Sequence, residues 1–210
     1  MSKAHTPSSF WNIPNILTLG RIAVIPVVAL MLWEKPGEIP TPTEGIIACV
    51  IFVIAMITDV IDGYLARKWN LVSPMGAYLD PLADKLMVAT VLIMLIPLGW
   101  APAWIIAVLI CREMTITGLR SIASQQGFSL SASPMGKLKT AYQSTALGML
   151  LWHYPLSIPQ FGVHIDVHSS GIVMLYISVI LALISGAEYF YLYYKQTLQQ
   201  NELADIADTM

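Results

Sequence analysis

Apolar residues fall along this chain in six long runs separated by short polar breaks. The runs cover residues 13–33, 45–67, 80–99, 101–124, 134–154 and 170–194. Each approaches the ~20 mostly apolar residues that a helix needs to cross the hydrocarbon layer of a bilayer. The breaks differ in kind. Glu34 to Glu44, EKPGEIPTPTE, is acidic and rich in proline, and Pro97 to Pro102 is a tight uncharged turn. Lys68 to Tyr78 and Ser124 to Gly136 each carry proline and glycine, while Pro155 to Ser170 is a longer polar loop. The pattern predicts an all-α integral membrane protein, a six-transmembrane-helix bundle. Residues 1–200 form a single domain and residues 201–210 a short acidic tail.

Composition agrees. The 210 residues are 56% hydrophobic and 11% charged, with a mean hydropathy of +0.67, whereas a soluble domain carries roughly a quarter charged residues. A net charge of −2, with no basic tail, excludes nucleic acid as a partner. Cys49 and Cys111 lie in separate apolar runs and suggest neither a disulfide nor a metal spacing. The first run is interrupted by Arg21 and lacks a small-x-small cleavage site, so it reads as an uncleaved span.

Charge then orients the bundle. With six spans, Lys3, Arg67, Lys68, Lys85, Arg120, Lys137, Lys139 and Lys195 fall on or near one face. Only Lys35 falls on the other, and Arg21 and Arg112 lie inside spans. The excess of basic residues on cytoplasmic loops places both termini in the cytoplasm. Phe10 and Trp11 precede the first span, and the tyrosines of EYFYLYYK close the last, as interfacial aromatics do.

The stretch TDVIDGYLARKWNLVSPMGAYLDPLADK, from Thr58 to Lys85, changes the picture most. Asp59, Asp62, Gly63 and Ala66 share one helical face at the end of the second span. Asp80 and Asp84 share another at the start of the third. One carboxylate deep in a bilayer costs roughly 2.5–3.5 kcal/mol on the insertion scale, and four close together repel one another. A divalent cation resolves both problems, and oxygen ligands without histidine or cysteine favour Mg²⁺, Mn²⁺ or Ca²⁺ over zinc. Four carboxylates have room for two ions, an arrangement suited to phosphoryl displacement. Two other readings remain at this point: solvated helix-end aspartates, and the ion site of an acidic cation-binding membrane transporter.

D-x2-D-G-x2-A-R-x8-G-x3-D-x3-D reads without a gap as Asp59, Asp62, Gly63, Ala66, Arg67, Gly76, Asp80 and Asp84. This resembles the signature of the CDP-alcohol phosphotransferase family at every defined position. The resemblance implies transfer of a substituted phosphate from a CDP-linked donor, in bacteria usually CDP-diacylglycerol, to an alcohol with release of CMP. It implies metal ligation by Asp59, Asp62, Asp80 and Asp84, with Mg²⁺ or Mn²⁺, two ions in all. Asp84 would also serve as the base for the attacking hydroxyl. Gly63, Ala66, Arg67, Ser73 and Gly76 would line the CDP-lipid site, joined by Asn15 and Thr18 of NIPNILTLGRI. It further implies a homodimer in the cell inner (cytoplasmic) membrane, multi-pass, with the active site facing the cytoplasm.

The acceptor is read from the cations. Arg112 and Arg120 on the fourth span are eight residues apart, about 80° around a helix of ~100° per residue, so one pocket can receive both. Arg112 sits well inside an apolar run, where a charge is functional by default. Glu113 beside it is a candidate partner. Lys137 and Lys139 follow at the start of the fifth span. Such a set suits a phosphorylated acceptor. These segments resemble the branch of the family that uses glycerol 3-phosphate and makes phosphatidylglycerophosphate. Inositol phosphate is the nearest rival. Two features stay outside the scheme. His164, Asp166 and His168 alternate as zinc ligands do but read as a polar loop on the opposite face, and Glu188 in the last span is a candidate partner for a buried arginine.

Overall fold

The computed structural model describes residues 13–33, 40–68, 74–131, 133–158 and 163–208, without the side chains of 13–15, 60, 62–67, 74, 75, 77, 78, 158, 163 and 201–208. Among the described residues there are six helices: α1 (Ile13–Met31), α2 (Pro42–Lys68), α3 (Pro74–Met94), α4 (Ala103–Gln125), α5 (Pro134–Trp152) and α6 (Val167–Asp208). A two-stranded antiparallel hairpin, β1 (Leu156–Ile158) with β2 (Val163–Ile165), separates α5 from α6. The mostly helical, membrane-capable fold expected from the apolar runs is therefore present. Pro42–Asp59 and Val167–Gln200 are each long and apolar enough to cross a bilayer.

The helix ends follow local chemistry. Thr41 caps α2: its N–H and hydroxyl both donate to Glu44 Oε2, at 2.7 and 2.9 Å, and the Glu44 N–H returns to Thr41 Oγ1. With Pro42 at the first helical position, this reciprocal cap starts α2 three residues before the apolar run suggested. Pro74 is likewise the first residue of its helix, α3, six residues ahead of Asp80. Two helices stop at a glycine in the left-handed region. Gly99, at φ +67°, lets the Trp100 N–H return to the Leu95 carbonyl. Gly127, at φ +85°, lets Phe128 return to Ala123. The polar loop expected over Pro155 to Ser170 is instead the hairpin, with Ser157 opposite His164. Residues of β propensity alternate on both short arms.

The chain divides into two compact units. The first comprises residues 1–101 and 148–168. Here α1 packs against both α2 and α3, over a core that includes Leu32, Phe52, Met87, Leu92 and Leu95. At one end of this unit Trp100 stacks on His153 at 4.0 Å between centroids. His153 meets the His168 ring edge-on at 4.5 Å, and Tyr154 donates to the Pro40 carbonyl. Cys49 Sγ donates to the Gly148 carbonyl at 3.2 Å.

The second unit comprises residues 102–147 and 169–210. Ile116, Leu119 and Ala123 of α4 cluster there with Leu130 and with Tyr189 of α6. Ser133 caps α5: its hydroxyl accepts the Gly136 N–H, while its own N–H donates to the Tyr189 hydroxyl. Both units leave large apolar side chains uncovered. On α2, Ile47, Val50, Ile54, Ile57 and Ile61 form an exposed stripe, and on α6 Val173, Tyr176, Ile180 and Leu183 form another. Apolar faces of that extent belong against lipid.

One glycine is required by space. A Cβ at Gly45 would lie 3.0 Å from the Leu151 carbonyl oxygen, with Trp100 and Tyr154 behind it. Gly45→Val is expected to destabilise the detergent-solubilised protein by about 1–3 kcal/mol, the range for overpacking. Gly118→Ala, where a Cβ meets nothing within 4 Å, should leave stability unchanged or slightly raised. Thermal unfolding of the two variants beside the parent checks both.

Candidate functional site

The aspartate-bearing ends of α2 and α3 are joined through α1. Thr18 and Arg21 are three residues apart on α1 and so face the same way. Arg21 NH1 donates to Asp59 Oδ1 of α2 at 2.6 Å. Thr18 Oγ1 donates to Asp80 Oδ1 of α3. Thr18 is 0% exposed, the Arg21 side chain 4% and the Asp59 side chain 33%. One polar stripe on an otherwise apolar helix thus holds a carboxylate on each of two neighbours. Asp84 lies one turn beyond Asp80 and is half-buried.

The expected residues divide accordingly. Asp59, Asp80, Asp84 and the buried Gly76 are in place on α2 and α3. Thr18, expected beside the nucleotide, is enclosed with its hydroxyl on Asp80. Asp62, Gly63, Ala66 and Arg67 lie on α2, and Asn15 on α1, with side chains outside the described residues; Ser73 lies wholly outside them. Arg21 was expected only as a basic residue within a span. Its signal was the three-residue spacing of Asn15, Thr18 and Arg21 along an apolar run.

Among the described residues no three acidic, histidine or cysteine side chains form a ready metal cage, and Asp62 stands outside that set. The donor chemistry still suits a hard divalent ion, because every candidate ligand is a carboxylate oxygen. Asp59 already holds a cation, the Arg21 guanidinium, as a half-buried carboxylate requires.

The second unit gathers part of the expected cation set. Arg112 Nε donates to the Ala182 carbonyl at 3.2 Å and NH2 to Ser185 Oγ at 2.8 Å. Its Cζ lies 5.9 Å from the centroid of the Tyr189 ring. Arg112 NH1 and Lys139 Nζ both reach Glu113 Oε2, at 3.3 and 2.8 Å. Glu113 therefore bridges the two cations. Lys139 is buried, whereas Arg120 and Lys137 are exposed and join no ion pair among the described residues. Glu188 does not pair with a buried arginine: its Oε2 is enclosed without a hydrogen-bond partner, because Arg112 takes Ser185 and a carbonyl on the same helix instead. His164 and His168 are also separated. His164 Nδ1 meets Ser157 Oγ across the hairpin at 2.9 Å, and His168 turns to His153.

Comparison with known proteins places this arrangement. The family model described as CDP-alcohol phosphatidyltransferase matches residues 11–185. The chain is 38% identical over 188 residues to the CDP-diacylglycerol–glycerol-3-phosphate 3-phosphatidyltransferase of Bacillus subtilis (strain 168), covering 86% of this chain and 94% of that protein. A protein of the same name from Rickettsia bellii (strain RML369-C) is 37% identical over 179 residues, covering 85% and 93%. The probable phosphatidylglycerophosphate synthase of Mycobacterium tuberculosis (strain ATCC 25618 / H37Rv) is 36% identical over 178 residues, covering 85% and 79%.

Arg21→Gln removes the cation from Asp59. Breaking a fully buried pair costs roughly 3–5 kcal/mol. Asp59 keeps some contact with solvent, so a loss of about 2 kcal/mol is expected in EDTA. Excess Mg²⁺ should restore part of it by neutralising the same carboxylate. Melting curves with and without metal, parent against variant, read both effects.

Proposed function

Because the chain belongs to the CDP-alcohol phosphatidyltransferase family, we propose that it transfers the phosphatidyl group from CDP-diacylglycerol to sn-glycerol 3-phosphate, giving phosphatidylglycerophosphate and CMP. The observation that carries this reading is the similarity to enzymes of that name across about six-sevenths of the chain, at 37–38% identity over 86% and 85% of it. The carboxylates that α1 holds support it. An acidic cation transporter has no counterpart among these relatives.

The reaction asks for few groups. The acceptor hydroxyl oxygen bonds to the phosphorus that carries the diacylglycerol, and the bond from that phosphorus to the CMP oxygen breaks. The electron pair leaves with CMP, and the hydroxyl proton passes to a carboxylate. Asp59, Asp62, Asp80 and Asp84 are the residues proposed to hold divalent ions, two of Mg²⁺ or Mn²⁺. Ions held there would supply positive charge to the diphosphate and to the leaving CMP. Asp84 takes the proton. Thr18 and Arg21 act through other residues: they set Asp80 and Asp59 in place before substrate arrives. Gly63 and Ala66 leave room for the nucleotide, Arg67 supplies charge to it, and Gly76, Ser73 and Asn15 line the same site.

The acceptor phosphate is assigned to Arg112 and Lys139, with Arg120 and Lys137 adding longer-range attraction. Glu113 brings both cationic heads to one carboxylate oxygen, and charge-assisted hydrogen bonds from two neighbouring cations suit a phosphate. By resemblance the protein works as a homodimer. It is a multi-pass protein of the inner membrane with its active site at the cytoplasmic face, where a lipid donor and a soluble acceptor meet.

An acceptor panel tests the reading. Purified protein with CDP-diacylglycerol and Mn²⁺ is expected to release CMP fastest with glycerol 3-phosphate, ahead of inositol phosphate, inositol and serine; turnover with serine alone would sink it. Asp84→Asn, assayed at saturating Mn²⁺, should lose about 10²-fold or more in kcat, the scale of a missing general base. Full turnover at unchanged metal occupancy would remove Asp84 from that role.

A further inference from the structure

In the second unit one side chain touches both arms of the expected cation set. Tyr189 of α6 is 4% exposed and belongs to the apolar cluster with Ile116, Leu119 and Leu130. Phenylalanine would fill the same space. What tyrosine adds is a hydroxyl, which costs free energy inside an apolar cluster unless it is hydrogen-bonded. Here the hydroxyl accepts the Ser133 N–H at 3.2 Å, just ahead of α5. The ring stands beside the first turn of that helix: a Cβ at Gly136 would lie 3.8 Å from both Tyr189 Cε2 and the hydroxyl oxygen. Lys139 is three residues beyond Gly136 and so shares its face. On the other arm Arg112 lies over the ring, its Cζ 5.9 Å from the centroid. Glu113 closes the circuit, accepting from Arg112 NH1 at 3.3 Å and from Lys139 Nζ at 2.8 Å. α6 also holds Arg112 from behind. Ser185 Oγ gives its own proton to the Leu181 carbonyl at 2.7 Å, which leaves a lone pair for Arg112 NH2. Among the described residues, three guanidinium N–H donors are taken, by Ala182, Ser185 and Glu113, and the rest remain for an anion.

We propose that Tyr189 is a positioning residue of the acceptor-phosphate site: its hydroxyl sets the start of α5, and through it Lys139, while its ring backs Arg112. The proposal rests on the glycerol 3-phosphate reading and deepens it. Two cations on different helices grip one phosphate together only where their separation is set. Left to themselves they repel, and each long side chain keeps rotamer freedom that binding has to remove. The circuit of Arg112, Tyr189, Ser133, Lys139 and Glu113 sets that separation, and its α5 end rests on one hydroxyl. Acceptor affinity therefore depends on a group that touches no substrate, and the dependence runs through Lys139.

Tyr189→Phe removes the hydroxyl and keeps the ring and its volume. With purified protein, CDP-diacylglycerol and Mn²⁺, the KM for glycerol 3-phosphate is expected to rise about fivefold, the scale of one net hydrogen bond. The kcat and the KM for the lipid donor should stay within about twofold of the parent. In a Lys139→Gln background the same substitution should move the acceptor KM by less than about twofold, because groups that act through one another are not additive. Tyr189→Leu also withdraws the ring from Arg112, so its rise in KM should exceed that of Tyr189→Phe in both backgrounds. Binding gives a readout apart from turnover: the gain in melting temperature when glycerol 3-phosphate is added to the Mn²⁺-loaded protein should be smaller in Tyr189→Phe than in the parent. An unchanged gain with a lower melting temperature in the absence of ligand assigns Tyr189 to the core alone and overturns the proposal. So do equal rises in KM for acceptor and donor, a fall in kcat alone, or full additivity with Lys139→Gln. If the parent turns over no acceptor, the transferase reading fails separately, and the melting shift still decides whether Tyr189 serves an anion site.

Discussion

A carboxylate at the end of a membrane helix needs a partner, and in this protein α1 supplies it. Arg21 on Asp59 and Thr18 on Asp80 are contacts between side chains far apart in sequence. They tie the helix that precedes the signature to both helices that carry it. The first unit is organised around that tie. α1 packs on α2 and α3 together, and the apolar core fills the space below the polar stripe. Without the stripe, two half-buried carboxylates on adjacent helices would repel across a medium of low dielectric. With it, each carboxylate has a donor from α1.

The second unit solves the opposite problem with the same economy of charge. Two cations are brought together, and Glu113 keeps them from repelling. Arg112 is further fixed by a carbonyl, a hydroxyl and an aromatic face, all on α6. A guanidinium held by so many partners has little side-chain freedom left. Asp59 and the Arg112–Lys139 pair are thus each held by a residue of the opposite charge, and Asp80 by a hydroxyl.

Much of this was legible beforehand, for physical reasons that differ by residue. Helical spacing placed Asp59 and Asp80 on faces of α2 and α3, because a period of 3.6 leaves little choice. The apolar runs marked all six helices, since a bilayer demands continuous hydrophobicity. What escaped were the devices that read across the chain. Arg21 carries no motif that names Asp59; only its cost inside an apolar run pointed to a partner. The start of α2 was missed because Thr41, Pro42 and Glu44 lie in a stretch that looked like loop, although together they spell a reciprocal cap. The hairpin was missed because three-residue strands are too short for alternation to stand out. Glu188 and Arg112 looked like a pair by charge alone, and hydroxyl and carbonyl partners on α6 prevailed.

The length of α6 has a consequence of its own. Its 42 residues make a rod of about 63 Å, twice the ~30 Å thickness of hydrocarbon it can cross. The run of tyrosines that begins at Tyr189 lies about 33 Å from Val167, close to the thickness of that layer. Beyond Lys195 the last turns carry Glu202, Asp205 and Asp208 and no basic residue. An anionic lipid surface repels such a segment.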